Sequence, residues 1–411
     1  MSSRGGGNMA ERRDVSIVGI GRTEFKLEEE FNPMVAMFMP MPIGPDAVKK
    51  ALDDVDNLEL QDIEATYTGR SDPITNAGQM ITRDVGYLGE ACYSVDNGST
   101  SGTTALMNGY YDIASGLRDI VVVIGIEIMG PGALYVHPEG QSWKCKDVKS
   151  GPFARLFAQL ARRHMREYGT TNEQLAMVAA KNLKNGTLNP YAFRKEELSV
   201  DDVLNSPIVA EPLTEYMCAP IVSGAVALVL APAKQARYYN PDPVKIAGCA
   251  MSAGKPGLEY LESAYDPIVR AAREAYRMVG PFFGAKDLDL AQVHDSFAIS
   301  ELIAYEALGF CGRGKSGEWI EEGVPMPDGD LPVNTDGGMI ANGQPLGACG
   351  LAQAYELVLQ LRGKAEKRQV EDVERAVQYN GGSEGSGFCG GFAGRGFGTG
   401  GSYFVNIFTR A

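Results

Sequence analysis

A chain of 411 residues, 44% hydrophobic and 22% charged, has the length of one large or two medium globular domains and no apolar run fit to span a bilayer. Its formal net charge of −14 argues against general nucleic-acid binding and leaves room only for a local cationic patch that meets a phosphorylated cofactor. Seven cysteines stand singly with no CxxC pair, which fits a reduced cytoplasm better than a disulfide framework or a metal site held by this chain.

In chain order, MSSRGGGNMAERR is a loose polar tail with no signal-peptide pattern, and Met9 offers an alternative start. A strand, VSIVGIG (Val15–Gly21), precedes a helix-like GPDAVKKALDDV (Gly44–Val55) and a strand-like DIEATYTG (Asp62–Gly69). The next stretch, Ser94 to Leu106, reads SVDNGSTSGTTAL. Leu106, Tyr110, Ile113 and Leu117 recur at helical spacing, so Ser99, Thr100 and Ser101 fall where a helix begins. The strand DIVVVIGIE (Asp119–Glu127) follows. A polar loop that opens a buried helix between strands is a common seat for a nucleophile or an anion, which singles out Ser99.

From roughly Gly130 to Val222 the chain is richer in charged and long side chains and reads as largely helical. GPFARLFAQLARRHMREYG (Gly151–Gly169) is amphipathic with basic residues on one side. Its spacing fits a solvated face; the functional alternative is a cap in which Arg162, Arg163 or Arg166 meets ligand phosphates. The second part then repeats the order of the first. PVKIAGCAMSAG (Pro243–Gly254) is a strand, DPIVRAAREAYRMVG (Asp266–Gly280) a helix, and DLDLAQVHDSF (Asp287–Phe297) a strand leading into the helix ISELIAYEALGF. GQPLGACGLAQAYELVLQL (Gly343–Leu361) is a further helix, and RAVQYN (Arg375–Asn380) and SYFVNIF (Ser402–Phe408) close as strands. Two α/β halves of matching order predict a duplicated fold of sheets packed on a helical layer. The expected division is a tail over 1–13, an N-terminal half over 14–129, and a loop or cap region over 130–222 that returns to that half. A last strand and linker over 223–242 and a C-terminal half over 243–411, with a glycine-rich loop at 380–401, complete it.

Four stretches in order, KNLKNGTLNP (Lys181–Pro190), VSGAVALVL (Val222–Leu230), VHDSF (Val293–Phe297) and NTDGGMIANGQPLGACG (Asn334–Gly350), resemble the thiolase superfamily. The resemblance is to the branch of sterol carrier protein-x and archaeal-type thiolases, and it runs from about Val15 to Phe408. It implies a five-layered αβαβα fold of two duplicated halves with a helical loop domain, coenzyme A as cosubstrate with no bound cofactor, and a homodimer core across which the strand after the 94–117 helix commonly pairs. It also implies acyl-CoA contacts at Ser223, Gly224, Asn334 and Gly343, with Arg163 from the amphipathic helix. Members that depart from the usual catalytic residues often work with a small zinc-ribbon and OB-fold partner, so such a partner is expected here.

The departures are specific. In this branch the stretch matching VDNGSTSGTTAL carries a nucleophilic cysteine where this chain has Ser99. A helix N-terminus lowers a thiol's pKa enough to make a thiolate, but a serine alcohol ionises far higher and needs a base. The histidine of the family's GHP motif is Gln344 here, in GQPLG, and the cysteine of its HDCF-like motif is Ser296, in HDSF. His294 is kept, and the resemblance makes it a donor to a thioester oxyanion, with Gln344 able to donate through its amide. Asp295, next in the strand, is expected to point to the other face. In the glycine-rich NGGSEGSGFCGGFAGRGFGTGG (Asn380–Gly401), Cys389 falls near the place where thiolases often carry a second reactive cysteine. Cys92, Cys218, Cys249, Cys311 and Cys349 lie in or beside apolar runs and read as structural.

Three functions follow. The first is retro-Claisen thiolysis of a bulky β-oxoacyl-CoA, in which coenzyme A attacks directly or Cys389 carries the acyl group. The second is retro-aldol cleavage of a β-hydroxyacyl-CoA, which needs no acyl-enzyme. Aldolases of the family use tyrosines in the segments matching VHDSF and GQPLG, and this chain has none there before Tyr355. The third is a non-catalytic subunit. Retention of His294 and the nearby Cys389 place thiolysis first.

Overall fold

The computed structural model describes residues 12–27, 43–71, 76–87, 89–129, 152–255, 260–382 and 401–411. In the N-terminal part, β1 (Val15–Arg22), α1 (Ile43–Asp53), β2 (Ala65–Gly69), α2 (Ala77–Val85), β3 (Ala91–Val95), α3 (Ser101–Ser115) and β4 (Val121–Glu127) follow one another. Next come α4 (Pro152–Tyr168), α5 (Asn172–Gly186) and α6 (Val200–Leu204), then a short β5 (Ile208–Ala210) and β6 (Leu213–Thr214) pair. The chain returns as β7 (Gly224–Pro232) and α7 (Ala236–Tyr239). The C-terminal part comprises β8 (Val244–Ala253), α8 (Tyr260–Val279), β9 (Leu290–Val293), α9 (Ala298–Ala307) and α10 (Ser316–Glu321). It ends with α11 (Gly338–Asn342), α12 (Leu346–Leu361), β10 (Arg375–Gly382) and β11 (Ser402–Arg410).

The strands join in the order β3-β2-β4-β7-β1-β8-β11-β10-β9, which reads as one pattern and its mirror. β2 and β4 run parallel, as do β9 and β10; β4–β7 and β1–β7 are antiparallel, as are β10–β11 and β8–β11. The counterpart of β3 is reduced to a parallel bridge between Ala291 and Val333. At the centre the repeats meet through two residue pairs only, Ser16 with Lys245 and Ile17 with Val244.

Alternation along the strands builds the layers, because successive side chains face opposite ways. In β4, Val121 and Val123 pack with α3 and α12 in the central core, while Val122, Ile124 and Ile126 pack beneath α1 and α2. In β11, Phe404 and Phe408 face the central helices, and Tyr403, Val405 and Ile407 face α8 and α9. Outer helices, sheet, central α3 and α12, sheet and outer helices make the five layers, with α4 to α6 as the extra helical region. Helix α5 begins where its sequence dictates: Thr171 Oγ1 accepts the Gln174 amide at 3.2 Å, and Gln174 Oε1 accepts the Thr171 amide at 3.0 Å, a reciprocal cap. Among the described residues no helix is long and apolar enough to cross a membrane.

Two expectations are corrected. The strand drawn over Asp287–Phe297 is only Leu290–Val293, because Asn334 occupies its edge: Asn334 N donates to Ala291 O at 3.0 Å and Asn334 Oδ1 accepts Val293 N at 2.9 Å. β3 had no counterpart in the pattern reading, and it, not β4, is the edge strand. β4 is enclosed by β2 and β7 and has no free side for a partner chain.

Candidate active site

Close approach of backbones brings the two repeats together at the start of α12. A Cβ at Gly347 would lie 2.4 Å from Ile126 O and 2.7 Å from Gly69 O, and one at Gly102 would lie 2.4 Å from Gly347 O. Only glycine permits these contacts, so α12 begins against the ends of β2 and β4 and the first turn of α3. Glu127 completes the junction by accepting Gly347 N at 2.8 Å and Ser71 Oγ–H at 2.8 Å, although burial pushes its carboxyl up.

Ser99 lies in a half-buried single turn, Gly98–Thr100, directly before α3. Among the described residues its hydroxyl has no hydrogen-bond partner, whereas its carbonyl accepts the Cys349 thiol at 3.2 Å. Cys349 is therefore no bystander of an apolar run: it sits in the first turns of α12 against the predicted nucleophile position. Leu346 O, 3.3 Å from Sγ, shares the thiol's single hydrogen, and Sγ lies 3.9 Å from Asn380 Nδ2. Burial pushes the thiol up to about 12, so it is protonated at neutral pH. Asn380, near the end of β10, places Nδ2 3.1 Å from His294 Nδ1 and takes the Thr103 hydroxyl on Oδ1 at 2.7 Å. His294 is buried, and burial lowers its pKa to about 3. Ser99, Cys349, Asn380 and His294 thus form one connected cluster drawn from both repeats. The last described residue of β10, Gly382, abuts it, since a Cβ there would stand 2.7 Å from Thr100 N.

Among the described residues neither Ser296 nor Gln344 is hydrogen-bonded into the cluster; both are tied to the segment before β7. Ala219 N donates to Ser296 O at 2.9 Å, and Gln344 N donates to Pro220 O at 2.7 Å. Asp295 does point away from His294: it accepts Met339 N at 2.6 Å, Ile340 N at 3.1 Å and Asn182 Nδ2 at 2.8 Å, fixing the start of α11. Burial and the nearby Glu301 push its carboxyl well above the usual range. Behind it Lys181 pairs with Glu301 at 2.7 Å, and Asn182, Asn334 and Tyr305 also donate to Glu301, all out of solvent.

The residues expected to contact acyl-CoA lie mainly in this framework. Asn334 is spent on Val293 and Glu301; Ser223 Oγ accepts Met129 N at 2.8 Å. Gly224 gives room to the Phe25 ring and Gly343, at φ +89°, to Val222. Arg163 is half-buried on α4. Cys389 lies outside the described residues, and among those described no group of three or more His, Cys, Asp or Glu could hold a metal. Asn380 belongs to no motif and Cys349 reads from its surroundings as structural, yet the sequence carries a signal for both. Gln378 and Asn380 alternate on one face of β10, and Cys349, Gln353, Glu356 and Gln360 follow helical spacing on α12, a polar seam between two buried elements.

Comparison with known proteins identifies this architecture. The family description "Thiolase, N-terminal domain" matches residues 15–232 and "Thiolase C-terminal domain-like" matches 243–387. The acetyl-CoA acetyltransferase of Methanothermobacter thermautotrophicus is 36% identical over 411 residues, covering 97% of this chain and all of that protein. Benzoylsuccinyl-CoA thiolase subunit BbsB of Thauera aromatica is 30% identical, covering 90% of this chain and 94% of its own length. Among solved structures, an Ltp2-ChsH2(DUF35) aldolase superposes with a TM-score of 0.78 at 24% identity, over 98% of this chain and 99% of that one. Human mitochondrial 3-ketoacyl-CoA thiolase superposes at 0.72 and 17% identity, over 98% and 100%, and both likenesses show the fold. With both repeats matched in order and a 36% identical relative of equal extent, the chain belongs to the thiolase superfamily.

Proposed function

We propose that this thiolase-family enzyme cleaves, or in reverse forms, a C–C bond of a β-oxoacyl-CoA by thiolysis that does not pass through an acyl-Ser99. The observation that carries the reading is His294: a buried ring held neutral by its surroundings and fixed by Asn380 beside the Ser99 turn. A neutral N–H in a dry site stabilises the oxyanion that develops on a thioester carbonyl, and one such donor is worth several kcal/mol. Ser99 has no described base to activate it, and Cys349 is a protonated thiol turned onto a carbonyl. Attack by free coenzyme A fits this arrangement; Cys389, outside the described residues, is the alternative acyl carrier that the sequence offers. Relatives named as an acetyltransferase and a thiolase subunit support acyl transfer over lyase chemistry.

Retro-aldol cleavage of a β-hydroxyacyl-CoA is the second reading, favoured by the same lack of an activated nucleophile among the described residues. One experiment separates the two. The chain is given β-oxo and β-hydroxy acyl-CoAs, with and without free coenzyme A, and products are identified. Thiolysis predicts coenzyme A dependence and two thioesters per turnover; cleavage of a β-hydroxy substrate without coenzyme A overturns it. The subunit name of the Thauera relative and the two-component name of the aldolase structure also support the expected small zinc-ribbon and OB-fold partner. Co-purification from the native source tests that.

A further inference from the structure

What His294 can do depends on which ring nitrogen carries its single proton, and the groups around Nδ1 decide that. We propose that Asn380 is a positioning residue that locks His294 in the tautomer protonated on Nε2, making the ring a permanent donor and never the site's proton acceptor. This rests on the proposed role of His294 at the thioester oxygen.

The argument starts at Thr103. Its hydroxyl is 2.7 Å from one end of the Asn380 amide, while the other end is 3.1 Å from His294 Nδ1 and 3.9 Å from Cys349 Sγ. The structure sets the amide oxygen on the Thr103 hydroxyl and the amide nitrogen toward both His294 Nδ1 and the Cys349 sulfur, and the sulfur favours that orientation because its hydrogen is spent on carbonyls and only lone pairs face the amide. Gly350 lies against that oxygen; a Cβ there would come within 2.5 Å of it and 2.1 Å of Thr103 Oγ1. The amide nitrogen has only hydrogens to offer. Nδ1 must therefore present its lone pair, and the proton of the neutral ring resides on Nε2. Cys349 agrees with this polarity, since it gives its thiol hydrogen to backbone carbonyls and leaves its sulfur lone pairs toward the amide. Among the described residues Nε2 has no hydrogen-bond partner, so its N–H is available to a ligand.

The test is the long-range proton–nitrogen spectrum of the full-length protein labelled with ¹⁵N in its three histidines, His137, His164 and His294. The His294 signals are assigned by their loss in His294→Gln and by elimination with His137→Gln and His164→Gln. Wild type is expected to show an unprotonated Nδ1 and a protonated Nε2, unchanged between about pH 5 and 8. Asn380→Asp replaces the donor by a carboxylate that only accepts. It should move the proton to Nδ1 and lower turnover by about 10²–10³-fold. A wild-type ring protonated on Nδ1 overturns the proposal, and needs no variant to fold. An Asn380→Asp ring still protonated on Nε2 overturns it too. If the tautomer exchanges as expected and turnover does not fall, the positioning stands, and it is the oxyanion role of His294 that fails.

Discussion

With a pKa lowered by burial to about 3, His294 stays neutral throughout the working range, and this has a stability consequence with a definite sign. An unfolded chain takes up the proton near pH 6.5, so between about 6.5 and 3 the unfolded state binds more protons than the native one. Stability is therefore full above 6.5 and falls on acidification, at up to about 1.4 kcal/mol per pH unit. Denaturant unfolding of wild type and His294→Gln across that window should show the shallower acid slope in the variant. Its turnover should also fall, and His294→Ala, which removes the donor outright, should lose about 10²–10³-fold. For Ser99, whose hydroxyl lacks a described partner, Ser99→Ala is expected to keep most of the turnover. Intact mass after incubation with an acyl-CoA should show no ester there; a trapped adduct at Ser99 would reverse this assignment.

At the scale of elements, the site depends on how closely α12 can approach β2, β4 and α3. Gly347→Ala would drive a methyl group to 2.4 Å from Ile126 O, a backbone atom that cannot swing aside. We expect a loss of about 1–3 kcal/mol by urea unfolding, together with reduced turnover as Cys349 and the Ser99 turn part. Lys181→Met should cost more, about 3–5 kcal/mol, because it strands the buried Glu301 without its cation. These elements were largely legible beforehand. Strong periodicity marked α3, α8 and α12, and continuous apolar runs marked β1, β4 and β7. β3, in ACYSV, was missed because its side chains are half-buried or exposed, and it lacks a clean alternation. In the candidate site, motifs singled out Ser99 and His294, which the structure brings into one cluster, and Gln344, which it ties instead to the segment before β7. The site was illegible at Asn380 and Cys349, whose role comes from a contact between β10 and α12, separated by 31 positions. No local pattern reports such a contact.

For the whole molecule, the nine-stranded sheet leaves β3 as its N-terminal edge, with no strand paired to its outer side among the described residues and Tyr93 exposed. Such an edge is a template for pairing with another strand. The homodimer expected from the family resemblance would form here by antiparallel pairing of β3 with its copy, not through the enclosed β4. Light scattering at micromolar concentration should give twice 44.1 kDa, and a proline at Cys92 or Ser94 should shift the protein toward monomer. A stable, folded wild-type monomer would count against it.

The narrow seam between the repeats has a further consequence. Two residue pairs join β1 to β8, yet Ser99 and Thr103 come from one side of that seam and His294, Cys349 and Asn380 from the other. The two sides are held by α12, which is lodged against the strands of both repeats, and by α4 to α6, whose buried faces share a core with the C-terminal repeat. A chain cut between Pro232 and Pro243 should therefore yield two fragments that are each inert. Mixed and refolded together they should recover turnover, with an activity that rises with the concentration of the scarcer piece.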